Sequence, residues 1–349
     1  MYRRAYVLLV GNAVVMGGLA VLVAVVYDKS LLDPESAFLG PSWLRLPLLM
    51  LGALALDLLP RTLWYSRFRP SAMSAIVRDR LATHWTKERL VLVTLGVICF
   101  YIVYVSYRNL KSYLPFVMGE QTYDRELHLL DRVLFFGNDP SEPLHAILGT
   151  NVTAHALSYV YLWFLPMVPL TVTAWLVWSR NLSYGYWFVT SQGIAWTLGT
   201  LSYYMLPTLG PALEYVPYYQ DLASTPTTDL MNTLVEVRQQ VRLGGLEGAV
   251  QSVAGFASLH VAITLLLALM VQFTLQSRTL KWIVWVNFAL TVVATLYFGW
   301  HYVADDVAGI LIAFLAFYLG GIASGQKFDR HSLQSHPTTT TSAVPVERD

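Results

Sequence analysis

The sequence predicts an all-α fold in which several helices cross a membrane. Hydrophobic residues make up 55% of the 349 residues, charged residues make up only 13%, and the mean hydropathy is +0.49. A soluble globular domain carries about twice that charged fraction. The apolar residues also come in runs of about 18 to 25, the length that a helix needs to cross the hydrocarbon core of a bilayer. Composition and run length together predict a polytopic membrane helical bundle.

The apolar runs predict about eight membrane-spanning helices. The predicted spans are residues 6–27, 44–60, 90–107, 156–178, 185–206, 258–276, 281–300 and 302–323. The second span is the weakest because it is short and contains Arg45, Pro47 and Asp57. The first span follows Arg3 and Arg4, but it is longer than a signal-peptide core and no small-residue cleavage site follows it, so we expect it to be retained.

The chain divides into three predicted parts. Residues 1–89 hold two N-terminal spans and a basic loop, and residues 90–323 hold a six-helix membrane domain. Residues 324–349 are a low-complexity segment that is predicted to be disordered. Between spans, the mixed polarity of residues 141–155 predicts a surface helix rather than a further span.

The basic residues predict how the bundle is oriented. One face of the membrane, here named side Y, holds Arg3, Arg4, Arg61, Arg67, Arg69, Arg78, Arg80, Lys87, Arg89, Arg180, Arg278, Lys281, Lys327 and Arg330. The opposite face, side X, has longer loops but holds only Lys29, Arg45, Arg108, Lys111, Arg125, Arg132, Arg238 and Arg242. Because loops rich in Lys and Arg stay in the cytoplasm, side Y is predicted to be cytoplasmic. Side X then faces outward or into a lumen.

Composition also excludes several functions. The formal net charge of +1 argues against a strongly basic nucleic-acid binder. Cys99 is the only cysteine, so no internal disulfide can form, and we expect a free buried thiol. No His, Asp and Glu residues have the spacing of a metal-ligand set, so the sequence predicts neither a metal nor another cofactor.

Two histidines lie where spans begin, and ionisable groups at such positions tend to be functional. His260 lies at the start of the sixth span, and His301 at the junction of the seventh and eighth spans. In a helix, His301 and Asp305 would share one face, where the carboxylate accepts the imidazole Nδ1–H and leaves Nε2 free to attack. Asp306 is expected to point away from that face. His301, His260 and Asp305 are the candidate catalytic residues.

The order of the spans brings further groups to the same membrane face. Spans three, five and seven end on side X, which places His260, His301, Arg108 and Lys111 together although they are far apart in the chain. Taken singly, a His-x-x-x-Asp pair at a membrane boundary is more often a polar cluster than a catalytic site, and basic residues at a helix end often reach only for the interface. Their convergence favours a histidine-based phosphoester-transfer site.

Two motifs resemble the type-2 phosphatidic acid phosphatase superfamily, and more closely its branch of inositol phosphorylceramide synthases. Ala257-Ser258-Leu259-His260 is similar to the second motif of the family, and His301 with Asp305 matches the His-x-x-x-Asp that ends the third. Leu206 to Pro211 is similar to the Pro-rich stretch that this branch carries before the second motif. The resemblance covers residues 90–323 and implies a six-helix catalytic core to which the first two spans are added.

The sequence departs from the superfamily in its phosphate-binding residues. Lys111 followed by Pro115 matches the first motif only in part, and Thr295 and Leu296 stand where the third motif opens with Ser-Arg. The resemblance implies attack on phosphorus by His301, support from Asp305 and proton transfer by His260. Lys111, Arg108 and Ser258, with the amide groups that open the sixth span, are then the candidate phosphate ligands.

The sequence leaves several functions open. The preferred one is transfer of a phosphoryl or phospho-head group, of the phosphoinositol type, between lipids through a phosphohistidine. Its substrates would be a phospholipid or lipid phosphate and a lipid alcohol, within membrane lipids and without nucleic acid. Hydrolysis of a lipid phosphate, with water as acceptor, is the alternative, and a transporter or scaffold is a third. The aromatic loop 207–257 is predicted either to bind a polyol head group or to form an interfacial belt.

Overall fold

The computed structural model describes residues 3–33, 41–119, 121–233, 236, 255–326 and 328, and the regular elements in these ranges are all helical. Most of the predicted C-terminal tail lies outside the described residues, as do Arg238 and Arg242 of side X.

Eight long helices coincide with the eight predicted spans. They are α1 (Arg3–Val26), α2 (Ser42–Ser66), α4 (Lys87–Met118), α7 (Val152–Trp178), α8 (Leu182–Met205), α11 (Leu259–Thr274), α12 (Arg278–Tyr297) and α13 (Val303–Ala323). All of these except α8 and α11 are long and apolar enough to cross a membrane by themselves. Helix α11 has only 16 residues, and α8 is long enough but more polar. The prediction of a multi-pass, all-α membrane bundle is confirmed.

Shorter helices lie at the ends of the bundle. Helix α3 (Pro70–Thr83) joins α2 to α4 on side Y. On side X, a group of short helices that we name the cap consists of α5 (Asp124–Leu134), α6 (Ser141–Leu148), α9 (Pro211–Glu214), a 3-10 helix (Val216–Tyr219) and α10 (226–233). The surface helix predicted within residues 141–155 corresponds to α6.

Helix α8 lies at the centre of the bundle, where it packs against α1, α4, α7, α11 and α13. Thr190, Ser191 and Gln192 in its middle are fully buried. The indole of Trp187 is also buried and donates to the Phe317 carbonyl oxygen of α13 at 2.8 Å. Because neighbouring helices shield α8 from lipid, its hydroxyl and amide groups meet other helices instead of hydrocarbon. This position explains how a relatively polar helix is accommodated in the bundle.

Helix α1 belongs to the same bundle. Its buried face carries mostly alanine side chains and packs against α4 and α8. The residues of this face are Ala5, Leu9, Ala13, Met16, Ala20 and Ala24. A row of alanines lets two helix backbones approach closely. The division of the chain at residue 89 stays a prediction, but α1 packs directly on helices of the predicted catalytic core.

Two buried aspartates of α5 fasten the cap to the bundle. Asp124 accepts hydrogen bonds from the backbone N–H groups of Leu209 and Gly210, each at 3.0 Å, and from the Tyr302 hydroxyl at 2.9 Å. Asp131 accepts the backbone N–H of Val303, the first residue of α13, at 3.2 Å. Carboxylates at a helix N-terminus satisfy N–H groups that have no partner within the helix. Helix α5 therefore holds both the segment after α8 and the beginning of α13.

The contact of α13 with α8 depends on Gly320, and its replacement is the first test of the fold. A Cβ atom at this position would press on the Ser191 hydroxyl and lie 3.1 Å from the Trp187 carbonyl oxygen. We expect Gly320→Leu to separate the helices and to lower the free energy of unfolding by about 1–3 kcal/mol. The measurement is the melting temperature in detergent. Gly18→Leu is the control because nothing lies within 4 Å of that position. Equal losses in both variants would contradict this packing.

Asp131 makes the stability of the chain depend on pH. Burial raises the pKa of Asp131 to about 7, while the bond from Val303 opposes this rise and Asp139 and Asp305 add to it. An unfolded aspartate titrates near pH 4. The folded chain therefore binds one more proton between about pH 4 and pH 7, and the contribution of Asp131 to stability falls as the pH rises through that window.

Asp131→Asn is expected to remove this dependence, because the amide oxygen still accepts the Val303 N–H but carries no charge. The measurement is the melting temperature in detergent at intervals between about pH 4 and pH 7, over which the variant should follow a flatter curve than the wild type. Asp221→Asn, a change at an exposed position, serves as the control and should leave the curve unchanged. A parallel shift of the Asp131→Asn curve, with its slope retained, would refute the assignment.

Candidate active site

His301 and Asp305 form a buried pair at the beginning of α13. His301 is 5% exposed, and its Nδ1 lies 3.1 Å from Oδ2 of Asp305. The same carboxylate oxygen accepts the backbone N–H of Tyr302 at 3.1 Å. Because α13 begins at Val303, His301 lies before the helix and Asp305 lies in its first turn. The predicted pair is present, but a helix N-terminus brings it together instead of a shared helical face.

The surroundings of His301 keep its ring neutral. Burial lowers the pKa of His301 to about 4; Lys111 adds to this effect and Asp306 opposes it. At neutral pH the ring therefore carries one proton. The carboxylate of Asp305 is the acceptor next to Nδ1, so the proton lies on Nδ1 and Nε2 keeps its lone pair. A neutral imidazole with a free Nε2 is the form that acts as a nucleophile.

Asp306, which was predicted to point away from the face of His301 and Asp305, bonds to the neighbouring helix α12, and its direction relative to that face stays a prediction. Asp306 is 3% exposed, accepts the Thr295 hydroxyl of α12 at 2.8 Å, and acts electrostatically on His301. The prediction assumed that a helix already includes His301. Since the chain becomes helical only at Val303, the angle between the two side chains is not that of a helix. Thr295, which stands where the superfamily motif has Ser, thus joins α12 to α13.

His260 lies between aromatic rings at the beginning of α11. Its imidazole stacks on Tyr161 of α7, with ring centroids 4.2 Å apart and planes 13° apart, and it also contacts Phe164 at 4.0 Å. The Tyr161 ring stacks in turn on Trp300, at 5.2 Å and 12°. Trp300 directly precedes His301 in the chain, and His260 and His301 interact electrostatically. The structure therefore brings the two predicted histidines together.

Ser258 joins the loops that carry the two histidines. It is fully buried, and its hydroxyl accepts the Val261 N–H at 3.4 Å as the N-cap of α11. Its own N–H donates to the Asp305 carbonyl oxygen at 2.9 Å. Gly309 of α13 lies directly against the Ser258 carbonyl group, where a Cβ atom would not fit. These contacts hold the helix ends of α11 and α13 side by side.

The two predicted cations occupy different surroundings. Lys111 acts electrostatically on both His260 and His301. Its ammonium nitrogen lies 5.4 Å from the ring centroid of Tyr203, a distance typical of a cation–π contact. Arg108 instead donates to the Tyr104 hydroxyl at 3.2 Å on the same helix. The structure thus brings Lys111 to the histidines, whereas Arg108 bonds to a tyrosine of its own helix.

Two of the other histidines are buried away from the site. His84 is 3% exposed and bonds the Val177 carbonyl oxygen at 2.8 Å, and His128 is 6% exposed and stacks on Tyr215 at 3.8 Å. Both find partners from distant parts of the chain, which local polarity does not indicate. His155 is exposed and lies apart from the site. Cys99 is free and buried, as predicted. Among the described residues, no group of His, Cys, Asp and Glu has the arrangement of a metal site.

Several residues of the site are not evident from the sequence. Asp124 and Asp131 lie in a segment of mixed charge, and Tyr161 lies within an apolar span, so no motif distinguishes them. The one available signal was the position of Tyr161 near the side X end of its span. The tyrosines predicted to form either a head-group loop or a belt pack partly within the cap, where Tyr219 donates to Asp139 at 3.1 Å.

Comparison with known proteins agrees with this geometry. A family model described as the PAP2 superfamily, that of the type-2 phosphatidic acid phosphatases, matches residues 125–319, which include His260, His301 and Asp305. The match covers more than half of the chain. Searches of curated proteins and of solved structures find no match. The chain is therefore a membrane enzyme of the phosphatase or phosphotransferase type and belongs to the PAP2 superfamily.

Proposed function

We propose that this enzyme transfers a phospho-head group between lipids through a phosphohistidine on His301, in the manner of the inositolphosphotransferase branch. The observation that carries the proposal is the 3.1 Å contact between His301 Nδ1 and the Asp305 carboxylate, beside the second imidazole of His260. Two histidines with one carboxylate suit a double displacement at phosphorus. The superfamily supports a lipid phosphate or phospholipid as the substrate.

The reaction takes place in two steps. Nε2 of His301 attacks phosphorus while the bond to the leaving alcohol breaks, and His260 gives that alkoxide its proton. In the second step His260 removes the proton of the acceptor hydroxyl, whose oxygen attacks phosphorus and releases His301. Asp305 stabilises the charged ring of the intermediate. Lys111 and Ser258, with Arg108 where the substrate reaches it, are the proposed ligands of the phosphoryl oxygens.

Burial of the nucleophile favours transfer over hydrolysis. His301 is 5% exposed, and the cap covers side X of the bundle through the bonds of Asp124 and Asp131 to the segment around His301. A phosphohistidine in such surroundings is protected from water, whereas a lipid alcohol reaches it together with its own apolar chain. Hydrolysis of a lipid phosphate is the second candidate, because water and an alcohol use the same intermediate.

The chemistry is tested on purified protein in lipid, with products identified by mass spectrometry. Phosphatidylinositol and phosphatidic acid are supplied with and without ceramide or diacylglycerol. We expect a new phospho-head-group lipid that forms only when an acceptor is present. Free phosphate released from phosphatidic acid without an acceptor would establish hydrolysis instead.

Variants of the two histidines separate their roles in the same assay. His301→Ala should lose all turnover, and His260→Ala should slow it by about 100- to 10,000-fold. A substrate labelled with ³²P should leave an acid-labile label on the wild type and none on His301→Ala. His155→Ala, an exposed change outside the site, is the control and should retain activity. Turnover by His301→Ala, or its loss in the control as well, would contradict the assignment of the nucleophile.

We also propose that the site faces the extracytoplasmic or lumenal side, because side Y carries most of the basic residues. Ser74 of α3 on side Y and Ser224 of the cap on side X are exposed, and the native Cys99 is buried. A membrane-impermeant maleimide added to intact cells should label Ser224→Cys and should label Ser74→Cys only after the membrane is opened. For a protein of an internal membrane, the experiment uses sealed vesicles of that membrane, whose cytoplasmic face is outward. The maleimide should then label Ser74→Cys and should reach Ser224→Cys only after the vesicles are opened. The reverse pattern would place the site in the cytoplasm.

A further inference from the structure

Three tyrosines from three helices are neighbours, and two of them contact Lys111. They are Tyr107 of α4, Tyr161 of α7 and Tyr203 of α8. The Lys111 ammonium nitrogen lies 5.9 Å from the ring centroid of Tyr107 and 5.4 Å from that of Tyr203, and these two rings are 6.2 Å apart. Tyr161 is an electrostatic neighbour of both other tyrosines. The three phenol groups and one ammonium group therefore form a cluster, which we name the tyrosine cluster.

The tyrosine cluster borders the two histidines. The Tyr161 ring lies flat against His260 at 4.2 Å, and Lys111 acts on both imidazoles. The carboxyl groups of the first turn of α13 are neighbours as well, since Asp306 acts on Tyr161 and Asp305 acts on Tyr203. The rings of Tyr161 and Tyr203 are 4% and 2% exposed. Buried hydroxyl groups next to a nucleophile are donors in a site that water does not fill.

The charges around His301 set a limit on the substrate. Leu296 stands where the third motif of the superfamily has arginine, and Arg108 bonds to Tyr104. Lys111 acts on both imidazoles. The carboxyl groups of Asp305 and Asp306 act on Tyr203 and Tyr161 of the same cluster. A phosphomonoester carries about −1.5 to −2 charges at neutral pH. A phosphodiester carries a single charge, which one ammonium group can balance while neutral phenols donate hydrogen bonds.

We propose that Tyr107, Tyr161 and Tyr203 bind the non-bridging oxygens of the substrate together with Lys111, and that this set of groups selects a singly charged phosphodiester lipid over a phosphomonoester lipid. The inference rests on the proposed function, since it concerns the phosphoryl group that His301 attacks. In this site phenol hydroxyl groups donate hydrogen bonds where the superfamily motif supplies an arginine. Tyr161 has a second role, because its ring also holds the imidazole of His260 in place.

The test compares two lipids that differ by one methyl group and one charge. Dioctanoyl phosphatidylmethanol is a phosphodiester, and dioctanoyl phosphatidic acid is the matched phosphomonoester. Affinity of the purified full-length protein for each is measured in detergent at neutral pH by isothermal titration calorimetry, which needs no turnover. We expect the diester to bind at least about 10-fold more tightly, since Lys111 balances its single charge, whereas the second charge of the monoester meets the carboxyl groups that neighbour the tyrosine cluster.

Variants then assign the donors. Tyr161→Phe, Tyr107→Phe and Tyr203→Phe keep each ring and remove one hydroxyl, and each should weaken binding of the diester by about 10- to 100-fold. Tyr186→Phe is the control, because Tyr186 is a buried tyrosine of α8 whose hydroxyl bonds to Tyr6 at 2.9 Å. Its affinity for the diester should equal that of the wild type.

The outcomes distinguish this inference from the proposed function. Tighter binding of phosphatidic acid by the wild type, or unchanged affinities in all three phenylalanine variants, would overturn the tyrosine cluster even if His301 is labelled. If His301 acquires no ³²P label but the diester still binds more tightly than the monoester, the tyrosine cluster stands as a phosphodiester site. The proposed phosphohistidine intermediate would then be contradicted. The wild-type comparison needs no substitution, so a variant that fails to fold cannot hide the result.

Discussion

The bonds of Asp305 are the point on which the site depends. One carboxylate oxygen accepts from the His301 ring and from the Tyr302 backbone, and the Asp305 carbonyl oxygen accepts the Ser258 N–H. A single residue thereby fixes the His301 ring, begins α13 and holds the start of α11. In buried surroundings such bonds are strong, and leaving any of them unmade is costly. The relative position of the two histidines follows from this one residue.

The rest of the molecule serves to keep that residue buried and in place. The central helix α8 provides a rigid surface for α13, and Ser202 near its end bonds both the Phe256 carbonyl oxygen and the Ala257 N–H, which precede α11. From the other side, α5 of the cap bonds to Tyr302 and Val303. The beginning of α13 is thus held by α8 of the bundle on one side and by α5 of the cap on the other. Rigid support on both sides is what keeps reacting groups within small distances of each other.

The sequence predicted the helices and the catalytic candidates because both depend on local information. Apolar runs indicate spans, and the alternation of helix direction decides which ends share a face, so His260, His301 and Lys111 could be grouped without a structure. The anchoring bonds could not be predicted, since Asp124 and Tyr302 are separated by 178 residues and Asp131 and Val303 by 172. The sequence also did not show where α13 begins, so the expectation that one helix includes both His301 and Asp305 was wrong. The burial of His84 and His128 could not be predicted either, because burial depends on partners that local polarity does not indicate.

The attachment of the cap has a thermodynamic consequence. The two aspartates of α5 bond to Tyr302 and Val303, the residues directly after His301, so a movement of α5 is linked to the position of His301. If a ligand bound to the cap changes the affinity of His301 for a second ligand, that second ligand changes the affinity of the cap for the first by the same factor. Binding at the cap and binding at His301 are therefore thermodynamically coupled through α5.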